Sequence, residues 1–249
     1  CHYIGPKVPN NHAYKRYILI SNGASGHTKA HKCCEAVVGS FAHTYNTMGI
    51  CDCGYVCPHT SSTNGICNTC KYNSKATVSY YEWDEASRQT VQRVKAITQL
   101  NGIASNTETL NAGWYYVNSD IVMVDRFQIN GEVHIILADN ITFYADGGIG
   151  VHSGNTLHIH ATSTNGAEGR LIADANKTEY IFPSTGIGGS PSFRETMFYK
   201  KNDNGSIIIH GGKITAVGGN SCAAIGGGSS GYGGNITIHG GVVDATGGY

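Results

Sequence analysis

Eight of the nine cysteines fall within the first 70 residues, and they share that region with histidines at matched spacing. His43 is followed after seven residues by Cys51, and His59 after seven residues by Cys67, so the two copies are offset by 16 positions. A second thiol comes soon after each, as Cys53 and Cys70, while Cys33-Cys34 and Cys57 precede the respective histidines. Thiolates and imidazoles delivered from short turns are the ligands that tetrahedral zinc takes. One expected set is Cys57, His59, Cys67 and Cys70, in which Cys67-Asn68-Thr69-Cys70 is a C-x-x-C knuckle. The other draws on Cys33 or Cys34, His43, Cys51 and Cys53, with His31 in reserve. A disulfide cluster is the competing reading, natural for a secreted chain, but it has no use for histidines at equivalent positions. Four protein ligands close the coordination shell, so the expected zinc is structural and no catalytic residue is assigned.

The elements that must carry these residues are announced by glycine. The chain has 34 glycines and only 14% charged residues, and its formal net charge is zero. A balanced charge without a long basic run gives no footprint for nucleic acid. No run approaches the roughly 20 apolar residues of a membrane span. The sequence begins at Cys1 and stops at Gly247-Gly248-Tyr249, where a further strand is expected, so it reads as a piece of a longer protein.

Near the C-terminus, Gly205-Ser206-Ile207-Ile208-Ile209-His210-Gly211-Gly212 returns 29 positions later as Gly234-Asn235-Ile236-Thr237-Ile238-His239-Gly240-Gly241. Repeated short strands with glycine corners predict stacked copies of one unit, a mostly β chain built as a parallel β-solenoid. Alternation sends Val133, Ile135, Leu157, Ile159, Ile207, Ile209, Ile236 and Ile238 inward, and His134, His158, Ile208 and Thr237 outward. The strand-bearing repeats start near 133, 157, 207 and 236, at intervals of 24, 50 and 29 residues. The long interval implies a surface insertion that includes residues 191 to 201. Phe193, Arg194, Phe198, Tyr199 and Lys200 form a cluster of aromatic and basic side chains there, a candidate ligand site. His160, His210 and His239 close equivalent strands and are expected to stack. Such a column either binds metal or responds to pH, or each ring simply hydrogen-bonds a neighbouring backbone.

Three regions result: a Cys/His-rich zinc-ribbon-like segment over residues 1–75, a connector over 76–113, and the solenoid over 114–249. Within the connector, Ala76 to Val94 reads as a β-hairpin, with an amphipathic helix over residues 85 to 100 as the competing reading. Asn101 to Asn111 reads as loop, and Tyr80, Tyr81 and Trp83 are expected to pack against the open end of the solenoid. Cys222, in the apolar setting Ser221-Cys222-Ala223-Ala224-Ile225, is expected to be a buried thiol outside any pairing scheme.

The strings Gly113-Trp114-Tyr115-Tyr116-Val117-Asn118, Ile135-Ile136-Leu137-Ala138-Asp139 and Ala224-Ile225-Gly226-Gly227-Gly228, with the Ile-x-Ile-His-Gly-Gly repeats, resemble large surface proteins of anaerobic gut bacteria. That resemblance covers most of residues 43 to 249. It implies a right-handed parallel β-helix, a secreted or cell-surface location, and adhesin-like binding to glycans or to host and cell-surface proteins. Segments of the form H-x₇-C-x-x-C lie upstream in that family, and the Cys51-x-Cys53 and Cys33-Cys34 spacings depart from them. The expected function is therefore a non-enzymatic extracellular module, with self-association through an exposed last coil as a further expectation. A polysaccharide lyase or glycoside hydrolase is the competing class, and its acids would come from Asp120, Asp125, Asp139, Asp146 and Asp174. Most of these occupy turn positions that favour Asp for backbone reasons. A purely structural repeat within a larger assembly is the third reading.

Overall fold

The computed structural model describes residues 17–31, 37–45, 51, 55, 57–58, 61–63, 66–71, 73, 76–97, 100–104, 107–177, 184–189 and 203–249. The chain is mostly β, with curled sheets. Among the described residues no helix is long and apolar enough to cross a membrane.

From Thr109 onward the chain makes repeated passes through three columns of parallel strands, always in the same order. The first column stacks the end of Thr109–Val117, the end of Phe127–Leu137, then Thr156–Ala161, Ser206–Ile209 and Asn235–Ile238. The second stacks Ile121–Met123, Thr142–Asp146, Arg170–Asp174, Lys213–Val217 and Val242–Thr246. The third stacks the start of Phe127–Leu137 with Ile149–Gly150, Ile187–Gly188 and Ile225–Gly226. In the first column Val133 pairs with Leu157, Leu157 with Ile207 and Ile207 with Ile236, which are the intervals read from the sequence.

Alternate side chains of each strand point into the space between the columns, so the core is a set of stacked files. Val133, Ile135, Leu157, Ile159, Ile207 and Ile209 are fully buried there with Phe143, Leu171, Ile149 and Ile187. Ile236 continues the file of Leu157 and Ile207, and Ile238 that of Ile159 and Ile209, but their strand lies at the edge of the sheet and they stay 42% and 52% exposed. The corners of the third column demand glycine. Gly188 has φ 139°, and a Cβ there would sit 2.0 Å from the carbonyl oxygen of Gly226 in the next pass. Arg126 ties the same corners from within, donating to the carbonyls of Gly147, Ile149, Thr185 and Gly188.

Residues 77–96 form the hairpin rather than the helix, with Thr77–Asp84 and Gln89–Ala96 paired antiparallel along their full length. Its position differs from expectation, because it lies along the outward side of the first column and not over an open end. Tyr81 pairs with Ala161, and Val78, Tyr80 and Ile97 cover Ile136 beside Trp114 and Tyr116. A second small core results, outside the stack. Parallel pairing also begins earlier than expected, since the Thr109–Val117 strand takes in residues assigned to loop.

Nearer the N-terminus, Tyr17–Ser21, His27–His31 and Val37–Phe41 form an antiparallel three-stranded sheet. Ser62–Thr63 and Ile66–Cys67 form a minimal two-stranded ribbon.

Candidate metal centres

The two-stranded ribbon exists to turn one cysteine back on another. Asn68 fixes the turn, its N–H donating to the Ser61 carbonyl at 2.9 Å and its side-chain amide to Ser61 Oγ at 2.8 Å. Lys71, with φ 63°, then donates its N–H to the Cys67 carbonyl at 3.0 Å, which closes the loop around the knuckle. Cys57, Cys67 and Cys70 are all buried, and their sulfurs lie within 4.8 Å of one another. Cys57 Sγ and Cys67 Sγ are 3.7 Å apart. Two thiolates on one tetrahedral ion, with bonds of about 2.3 Å, stand about 3.8 Å apart, so the spacing suits a shared metal. Tyr45 packs on this cluster; burial, then the neighbouring Cys57 thiol, pushes its phenol up. His59 lies outside the described residues.

The other expected set is brought together in part. His43 and buried Cys51 converge, and the third ligand beside them is His27, which the sequence reading had not included. Cys51 Sγ lies 3.6 Å from His27 Nδ1. His43 donates from Nε2 to the Gly23 carbonyl at 2.6 Å, which leaves Nδ1 as its ligand atom, and its ring stacks on Tyr55 at 4.4 Å. A signal for His27 was present in the sequence. His27-Thr28, His43-Thr44 and His59-Thr60 repeat at intervals of 16, so the repeat has three copies rather than two. Cys33, Cys34 and Cys53 lie outside the described residues, as do Phe193, Arg194, Phe198, Tyr199 and Lys200. Nothing in the strand pairing of His31 bears on its role as a spare ligand.

A third group of imidazoles stands on the outward face of the first column. His160, His210 and His239 do stack in order, with ring centroids 4.5 and 5.6 Å apart. A parallel file runs beside them, Trp114 on His134 at 3.9 Å and His134 on His158 at 4.2 Å. The backbone bonds expected of such rings are made to the hairpin: His160 Nδ1 to the Tyr81 carbonyl at 3.3 Å, and the Trp83 N–H to His210 Nδ1 at 3.0 Å. Trp83 itself stacks on His239 at 5.1 Å. Burial pulls the rings down: His210 to about 3, with His158 and His239 adding to it, and His134 to about 4, with His158 adding and Glu132 opposing. His160, fully buried, is also held well below its ordinary range by burial and then by His210.

Cys222 is buried as expected, and burial pushes its thiol up. Comparison with protein-family models, with curated proteins and with solved structures finds no match.

Proposed function

We propose that this chain is a non-enzymatic, secreted or cell-surface module: a right-handed parallel β-helix that presents glycan- or protein-binding loops, preceded by a Cys/His region tied by structural zinc. The observation that carries the reading is the three-column stack, kept in register through intervals of unequal length. A framework of that kind holds its shape while loops of any length leave it, which is how repeat scaffolds present binding surfaces.

The acids that an enzyme would need support the same reading. Asp120 accepts the Thr142 N–H at 2.7 Å, Asp139 accepts the Thr162 and Ser163 hydroxyls, and Asp174 accepts the Asn176 N–H. Asp146 lies 3.6 Å from Lys177 Nζ. Asp120, Asp139 and Asp174 thus hold turns within and between passes of the chain, which is a structural occupation. Zinc fits the N-terminal donors because three buried sulfurs within 4.8 Å of one another favour a soft or borderline ion. Cys57, Cys67 and Cys70 would hold it, with His59 as the fourth ligand from the sequence repeat.

The sequence insertion carrying Phe193, Arg194, Phe198, Tyr199 and Lys200 is the proposed contact with glycans. A glycan array on the intact chain and on a chain lacking residues 191 to 201 tests this. Binding by the first and not by the second is the expected result. Turnover of a polysaccharide that is lost when Asp139 is changed to Asn would replace the proposal with the enzyme reading.

A further inference from the structure

The histidines under the hairpin do not form a complete set of hydrogen bonds as neutral rings, and the place where they fail is informative. One chain closes. Trp83 N–H donates to His210 Nδ1, so the hydrogen of His210 is on Nε2 and goes to His158 Nδ1 at 3.1 Å. His158 then carries its own hydrogen on Nε2, facing Glu132 Oε1 at 3.6 Å.

The other chain does not close. The Tyr81 carbonyl can only accept, so His160 holds its hydrogen on Nδ1 and its Nε2 is a bare lone pair. The Glu132 carboxylate, 3.0 Å from His134 Nε2, also only accepts, so His134 holds its hydrogen on Nε2 and its Nδ1 is bare. These two bare nitrogens face each other at 3.2 Å. As neutral rings they have no hydrogen to share.

Two features make this the pattern of a metal site. Each ring donates its second N–H to a carboxylate or a backbone carbonyl, which is how metal-bound histidines are oriented. Two imidazole nitrogens on one tetrahedral ion, with bonds of about 2.0–2.1 Å, stand about 3.3–3.4 Å apart, close to the separation seen. His158 offers a third nitrogen within 4.8 Å of the other two. Packing alone does not ask for histidine at 134 and 158, since later passes place Ile208 and Thr237 in the same file.

We propose that His134, His158 and His160 bind one divalent transition ion of the imidazole-preferring kind, with Glu132 and the Tyr81 carbonyl orienting the ligands. The ion locks the hairpin to the first column. This site is free of thiols and does not depend on the cysteine centres.

Cobalt titration of the full chain, stripped of metal in reductant, tests it, because thiolate-bound Co²⁺ shows a sulfur-to-metal charge-transfer band and imidazole-bound Co²⁺ does not. The wild type should take up one equivalent without growth of that band. His134→Gln/His160→Gln should lose that equivalent and keep the band, whereas Cys67→Ser should weaken the band and keep the equivalent. Glu132→Gln should bind it about 10- to 100-fold more weakly, and His239→Gln should be unchanged. In the wild type, Co²⁺ should also protect His134 and His158, the two partly exposed ligands, from diethylpyrocarbonate, read by mass spectrometry, which decides the matter even if the double variant does not fold. Uptake that follows the thiolate band throughout, or rings modified equally with and without Co²⁺, overturns the site.

Discussion

At the scale of single residues, Cys67 does two things. It ends a strand of two residues and supplies the central sulfur of the knuckle, so its thiolate and its backbone are fixed by the same turn. Changing Cys67 to Ser should remove one equivalent of zinc from the purified, reduced protein and lower its melting temperature. A chelator should destabilise the wild type in the same way, because an ion bound only by the folded form stabilises it by mass action. Changing Cys222 to Ser should leave the zinc content intact. Equal zinc content in the Cys67 variant and the wild type would refute the centre. The cysteines were legible as ligands because thiol and imidazole spacing is local. His27 was harder to see, since its partners Cys51 and His43 come to it across a sheet edge, and only the recurring His-Thr pair points to it.

At the scale of elements, short apolar strands and glycine corners were readable because burial repeats with a period of two and corner conformations exclude side chains. Gly188 is an example: its neighbour across the corner leaves no room for a Cβ. The hairpin was legible as a hairpin from its β-formers, but its resting place was not. What holds it are contacts between residues far apart in sequence, such as Tyr81 with Ala161 and Trp83 with His210, and no local pattern encodes them. The file reading makes a quantitative contrast. Ile159→Ala, in the closed interior, should cost about 3 kcal/mol of unfolding free energy. Ile238→Ala, in the same file but half exposed, should cost less than about 1 kcal/mol. Urea unfolding of both variants measures the difference, and equal losses would mean that the two positions do not share one file with one open edge.

At the scale of the whole molecule, the intervals of 24, 50 and 29 residues were the most informative reading, because they reappear as the pairing register of the first column. The outward histidines of successive passes therefore come to stand in line although they are far apart in sequence. The edge strand carries the other consequence. Ile236, Ile238 and Val242 are 42%, 52% and 65% exposed, beside backbone groups that face no further strand among the described residues. Exposed edges of this kind template pairing with another chain. The 249-residue chain should therefore associate with rising concentration, and Ile238→Lys should shift it toward monomer in sedimentation velocity. No change in sedimentation between the two would show that this edge is not the contact.

Both tryptophans of the chain lie against the same histidine face: Trp114 on His134, with the Lys95 ammonium 4.3 Å over its ring, and Trp83 on His239. Indole emission is quenched by adjoining imidazolium and by transition ions, and it brightens or shifts when the ring moves into water. The molecule thus contains its own optical gauge: with no label attached, its intrinsic fluorescence reports whether the hairpin is seated and what the imidazoles beneath it hold.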